Sequence, residues 1–159
     1  MPKRPSALSI VSVLWLRNSA IGARVAIREN LPAEWVAGLY VGRDTSAEFF
    51  KGGGTALSAG LPMMTAQALF TVLSTRGGRT GKAGAAGLTV LGAGGTVGVL
   101  AETITYRVLS PRTFDGAKAP IVSAAIVLSV LMPVLGASRL RTLKRGRLAQ
   151  KGAGLQSAR

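Results

Sequence analysis

Three long stretches of the chain carry no charged residue: 52–75, 83–101 and 119–138. Each approaches the ~20 residues that a helix rising ~1.5 Å per residue needs to cross a hydrocarbon core. Basic residues bound them: Lys51 and Arg76, Lys82 and (past Glu102) Arg107, then Lys118 and Arg139. A helix on a water-soluble surface keeps a polar side, and these runs have none. The pattern predicts membrane helices over about 54–75, 83–106 and 119–138.

The first segment is less regular. Residues 5–16 are free of charge but too short to span, and extension to Ile27 takes in Arg17 and Arg24. A central arginine costs ~2.5–3.5 kcal/mol on insertion scales, which apolar neighbours can offset. Arg17, Arg24 and Arg28 fall at i, i+7 and i+11 and share one helical face. That face is expected to point into the bundle while the region of Ile10, Val11 and Leu14 meets lipid. We read the segment as a retained helix over about 6–27. The alternative is a signal peptide with Lys3 and Arg4 as its basic start, residues 7–16 as its apolar core and cleavage near Gly22. The expected fold is all-α: a polytopic integral membrane protein, an antiparallel bundle of four transmembrane helices in residues 1–138, with a basic tail over 139–159.

Composition supports this class. The chain has 159 residues, 16% charged and 48% hydrophobic, room for one domain and too few charges for an ordinary soluble surface. It has no Cys and no His, which removes disulfides, thiol redox chemistry, thiolate metal sites and the commonest metal ligand and general base. No metal or cofactor is expected, and an enzyme is the less expected class.

The net charge of +14 raises the question of nucleic acid, so the placement of the charges matters. Arg76, Arg79 and Lys82 occupy one short connection without an acid, and Arg139, Arg141, Lys144, Arg145, Arg147, Lys151 and Arg159 follow the last apolar run, again without an acid. All six acids (Glu29, Glu34, Asp44, Glu48, Glu102 and Asp115) fall in or beside the other two connections. The positive-inside rule then places the N-terminus, the 76–82 connection and the tail in the cytoplasm of a cell-membrane protein, which four crossings satisfy. The basic residues Arg139, Arg141, Lys144, Arg145 and Arg147 are read as contacts to anionic lipid headgroups. No aromatic residue follows Ser138, which disfavours nucleic acid. In the long connection near 28–54, Pro32 suits a helix start, so the Trp35–Tyr40 stretch is expected either as a short surface helix or as an irregular loop.

Among candidate motifs, Gly92, Gly94 and Gly98 have the spacing of a dinucleotide-binding turn, but an apolar run on each side leaves no room for the sheet that turn requires. They read instead as helix packing, Gly94 and Gly98 forming a small-xxx-small pair that Gly87 and Ala101 extend. The stretch 77–83 lacks the spacing and the hydroxyl of a phosphate loop and reads as a flexible turn.

Glu102 lies on the Gly98 face of the third predicted helix, at a depth similar to Arg24. Three roles are open: a clasp with Arg24, a proton or substrate site, or a side chain that snorkels to water. Gln67 and Arg17, both near mid-helix, each need an internal partner and are expected to meet each other, or Gln67 a neighbouring protomer. Pro62 and Pro133 are expected to kink their helices.

The stretch Ala47-Glu48-Phe49-Phe50-Lys51-Gly52-Gly53-Gly54-Thr55-Ala56-Leu57-Ser58-Ala59-Gly60 resembles the start of the second helix in DoxX-like membrane proteins, with a Glu, paired glycines, an aliphatic stretch and a further Gly. The resemblance implies a small four-helix membrane protein, in a family sometimes linked to quinone or redox complexes, with Glu48 as its polar residue. Lys51 departs from that pattern, and Arg17 and Gly22 echo its first-helix spacing loosely. The leading expectation is an accessory subunit, as a homo-oligomer or part of a larger membrane complex. A transporter using Glu102 with Arg17 or Arg24, and a quinone-linked redox component, are the alternatives.

Overall fold

The computed structural model describes residues 6–34, 40–42 and 44–156. Its elements are α1 (Ala7–Arg28), β1 (Ala33–Glu34), β2 (Tyr40–Val41), α2 (Thr45–Lys51), α3 (Leu61–Ser74), α4 (Gly78–Ala101), α5 (Thr103–Leu109) and α6 (Ala119–Gln156). The architecture is all-helical apart from the two-residue strands β1 and β2, which pair antiparallel with Ala33 opposite Val41. That pairing replaces the helix start expected at Pro32, and residues 35–39 lie outside the described ones.

Among the described residues, three helices are long and apolar enough to cross a membrane: Ala7–Arg28, Gly78–Ala101 and Ala119–Lys144. This is the build of a multi-pass membrane protein. A fourth long helix, expected over 54–75, is not formed. The 14 residues of α3 span only ~21 Å, short of the ~30 Å core. Residues 52–60 are instead a compact turn. Gly52 and Gly54 adopt the left-handed region (φ 116° and 81°), which ends α2 and turns the chain. Inside the turn Thr55 N donates to Ser58 O (2.8 Å), Leu57 N to Thr55 Oγ1 (3.3 Å) and Ala56 N to Leu31 O (3.3 Å). Non-helical backbone between apolar helices must find such partners within the protein. Pro62 therefore sits in the first turn of α3, where its missing N–H costs nothing, and does not kink a helix.

Contacts between helices fix their directions. Trp15 of α1 lies against Gly95 of α4, and Leu8 shares a core with Ala85 and Leu88, so α1 and α4 run parallel. The chain must therefore return between them, and α3 makes that return. Ser12 bonds to Thr71 while Gly22 lies against Leu57, and Gly84 and Gly87 of α4 meet Ser74 and Phe70. The last helix, α6, runs down again, with Gly92 against Pro133 and Gly136 against Thr89. The tail expected after Ser138 is not a separate segment, because α6 continues unbroken for 38 residues. One end of the bundle gathers the acids; the other gathers Arg76, Arg79, Lys82, Arg139 and Arg141.

The predicted third helix also shifts, to 78–101, and breaks at Glu102 (ψ 128°). Residues 79–82, expected as a flexible turn, form its first turn. Beyond the break, α5 places Thr105 Oγ1 on Val99 O (2.6 Å) and Tyr106 OH on Leu100 O (2.8 Å), supplying donors to carbonyls that the end of a helix leaves unpaired.

Candidate functional site

Polar side chains gather in two places, the middle of the bundle and its acidic end. In the middle, α1 turns a face of small and hydroxyl residues inward: Ser9, Ser12, Ser19, Gly22, Ala23 and Ala26 are all buried, with Trp15 among them. Gln67 of α3 donates to Ser12 O (3.0 Å) and Ser12 Oγ (3.1 Å), and its Nε2 lies 3.9 Å from Met132 Sδ of α6. Ser12 Oγ and Thr71 Oγ1 are 2.7 Å apart, Thr71 Oγ1 also donates to Gln67 O (2.7 Å), and Ser74 Oγ donates to Thr71 O (2.8 Å). Gln67 thus has the internal partner its position demands, but the partner is Ser12 and not Arg17.

Arg17, Arg24 and Arg28 are exposed, on the same side of α1 as Ile10, Val13, Leu14 and Ile21. The expectation that this face points inward is overturned. Small residues let backbones approach closely in a bundle that lipid does not squeeze together, so they take most of the inside of α1, and its arginines lie outside.

The glycines of α4 divide in the same manner. Added side chains at Gly84, Gly87, Gly92 and Gly95 would strike α3, the Phe70 ring, Pro133 and Trp15 respectively. A side chain added at Gly94 or Gly98 would meet no neighbouring element within 4 Å among the described residues, and Ala101 is half-buried. Of the expected stripe, only Gly87 packs tightly against a neighbouring helix. The stripe that closes the bundle is offset from it.

At the acidic end, Glu102 accepts a hydrogen bond from Glu34 N (3.1 Å). It makes no clasp with Arg24, since the strand β1 reaches it first. Arg107 lies 3.5 Å from Glu34 Oε2, with its own side chain 66% exposed. Glu102 follows the last residue of the span Gly78–Ala101, and its carboxyl is pushed up to about 7. Burial is the main cause, the nearby Glu34 carboxylate adds to it, and the Glu34 N–H opposes it. Lys118, ahead of α6, lies 2.9 Å from Glu29 and 2.6 Å from Asp115. These bonds hold the Asp115 carboxyl below its ordinary range and the Lys118 ammonium above its own.

At the basic end, Arg141 and Lys144 are exposed on α6, while Arg139 is half-buried and its Nε has no partner among the described residues. The side chains of Arg145 and Arg147 lie outside the described part. Glu48, which the DoxX-like resemblance singles out, sits in α2 with its side chain against Gly42, and the residues after Lys51 form the turn and not the start of a helix. No family model matches the sequence, and no curated protein or solved structure is detectably similar to it.

The buried hydroxyl face of α1 escaped sequence reading, although Ser9, Ser12, Ser19, Gly22 and Ala26 recur at helical spacing. That periodicity is the signal in the chain that marks the face. Among the described residues no group of three or more metal-ligating side chains comes together.

Proposed function

We propose that this protein is an accessory subunit of a membrane complex, held by helix contacts within the bilayer, with both termini on the cytoplasmic side of the cell membrane. In this reading α3 and the 52–60 turn together make a fourth crossing, and the basic end faces anionic lipid. The observation that carries the proposal is the unmet face of α4: Gly94 and Gly98 stand open, beside exposed Val90 and Val97, on a helix whose other inward glycines each receive a neighbour. The occupant is a second copy or another membrane protein. The DoxX-like resemblance is consistent with such a role and adds no support of its own.

The chain has no Cys, so one introduced at Gly98 is a unique label. Thiol cross-linking of Gly98→Cys in native membranes is expected to give an adduct of discrete mass, more strongly than Val127→Cys on the exposed side of α6. A chain that stays monomeric with both labels refutes the proposal. Gly98→Leu is expected to weaken the association while leaving detergent melting of the isolated chain unchanged.

A second reading, proton-coupled transport by an oligomer, is favoured by Glu102 alone, as a partly buried carboxyl that titrates near neutrality. Proton-coupled flux into vesicles that Glu102→Gln abolishes would move the assignment to transport.

A further inference from the structure

We infer that the outward face of α1, centred on Arg17, docks a transmembrane helix of another protein that carries a carboxylate at mid-bilayer depth. This rests on the subunit reading above and names the chemistry of the partner, on a different helix face from Gly94 and Gly98.

Depth comes first. Arg17 lies ten residues after Ala7 and eleven before Arg28, so ~15 Å and ~16 Å of helix separate it from the two ends of α1. Either distance exceeds the reach of an arginine side chain. Side chains on a helix also lean toward its N-terminus, which carries the Arg17 guanidinium away from the acidic end of the bundle and from every carboxylate there. Trp15, two residues earlier on the opposite, buried face, is packed against Gly95 inside α4, which places this level within the helical bundle.

Charge follows. All six carboxylates of the chain lie among the described residues, and none is within ion-pair distance of Arg17 or Arg24. Glu29 and Glu34 follow α1, Asp44 and Glu48 belong to α2 and its cap, Glu102 follows α4 and Asp115 precedes α6. Every acid is therefore at one end of the bundle. A second copy inserted in the same direction brings no carboxylate to the level of Arg17, and would set arginine against arginine there. The complementary charge must come from a different chain. Ionised residues within an apolar span pair with a partner or face a pathway, and Arg17 faces outward. A guanidinium takes a carboxylate through two parallel hydrogen bonds, which fixes rotation as well as depth. Arg24, two turns nearer the acidic end on the same stripe, lies where lipid phosphate can reach it, so Arg17 is the specifying residue.

The test uses the full chain in phosphatidylcholine vesicles with a single-span leucine-rich host helix bearing one central Glu. Energy transfer between labelled partners reads their association. The Glu helix is expected to associate at least tenfold more tightly than its all-leucine parent. Arg17→Leu is expected to remove that difference, and Arg24→Leu to leave most of it. Because Arg17 is exposed and forms no hydrogen bond or ion pair among the described residues, Arg17→Leu should insert normally, checked by labelling a cysteine placed beyond Arg28. Equal association of both host helices, or full association of the Glu helix with an inserted Arg17→Leu, overturns the inference. The two proposals separate in native membranes. Gly98→Cys adducts that form while the vesicle assay shows no carboxylate preference leave the subunit reading standing and end this one. Adducts that never form end the subunit reading, whatever the vesicles show.

Discussion

The middle of the bundle and its acidic end solve different electrostatic problems with different residues. At the middle, every named polar contact joins neutral groups: Gln67 to Ser12, Ser12 to Thr71, Thr71 and Ser74 to backbone. At the acidic end, carboxylates, Lys118 and Arg107 meet each other and the backbone. Neutral donors and acceptors can close on one another without the desolvation cost that a buried charge carries. Charges are kept where water reaches. The division explains why the interior of α1 carries neutral residues alone, serine, glycine and alanine around Leu8 and Trp15, and it makes Arg17, a charge level with the neutral zone but outside it, the exception.

The comparison breaks most severely if the close approach that shapes the middle is blocked. Gly84→Leu puts a side chain into the backbone of Leu73 and Ser74, which cannot yield as a flexible side chain would. Loss of the folded chain in detergent is expected, read as failure to elute as a monodisperse species. Retention of a native elution profile would show that α3 is not held where we describe it.

A smaller effect tests the neutral network. Gln67→Leu keeps the bulk of the side chain but leaves Ser12 without its amide donor and buries an unmatched leucine among hydroxyls. Hydrogen bonds between membrane helices are worth ~0.6–2 kcal/mol, so a destabilisation of about 1–2 kcal/mol is expected from steric-trap or denaturant unfolding. Ser12→Ala combined with Gln67→Leu should cost less than the sum of the single changes, because both remove the same contact. Strict additivity would show the two residues to be independent.

The acidic end sharpens the contrast through pH. Glu102 is raised from 4.5 to about 7 in the folded chain, so the unfolded chain ionises it first. Its contribution to stability is therefore full below pH 4.5, declines as pH rises and is lost above about 7. Glu102→Gln retains an acceptor for Glu34 N–H, so it should melt like the parent at low pH and flatten the decline between pH 4.5 and 7. An unchanged slope in the variant would assign the titration elsewhere. The double change with Arg24→Gln should be additive, since the two side chains do not meet.

Much of this was legible in the chain. Charge-free runs bounded by basic residues located the cores of α4 and α6, because the absence of charge over some twenty residues leaves few other outcomes, while α1 followed from a shorter run extended through Arg17 and Arg24. The same signal misled at 52–60, where glycine, threonine and alanine are as uncharged as a helix but two left-handed glycines bend the chain into a turn. The direction of α1 around its own axis was misread for a physical reason. Turning arginines inward follows from the cost of charge in lipid, yet the face of α1 toward the bundle is filled by small residues with Leu8 and Trp15, and none of its buried residues is charged. Gly94 and Gly98 were singled out by spacing, but spacing alone does not say which of two glycine stripes on α4 a neighbour occupies. Glu102 stood out in the chain as the acid nearest an apolar run, and it is half-buried, while its contact with Glu34 depends on a hairpin that the chain pattern does not announce.

The uninterrupted course of α6 has a mechanical consequence. Its 38 residues make a rod of ~57 Å, nearly twice the thickness of a hydrocarbon core. Pro133 breaks the ladder of backbone bonds part-way along, and about 23 residues, or ~34 Å, lie beyond it. A bend of only about ten degrees at that point would swing the far tip sideways by about 6 Å, by simple leverage on this length. The fulcrum is not free, because the proline ring is seated in the gap left by Gly92. Any such swing is geared to a shift of α4, so a force on either helix is delivered to the other.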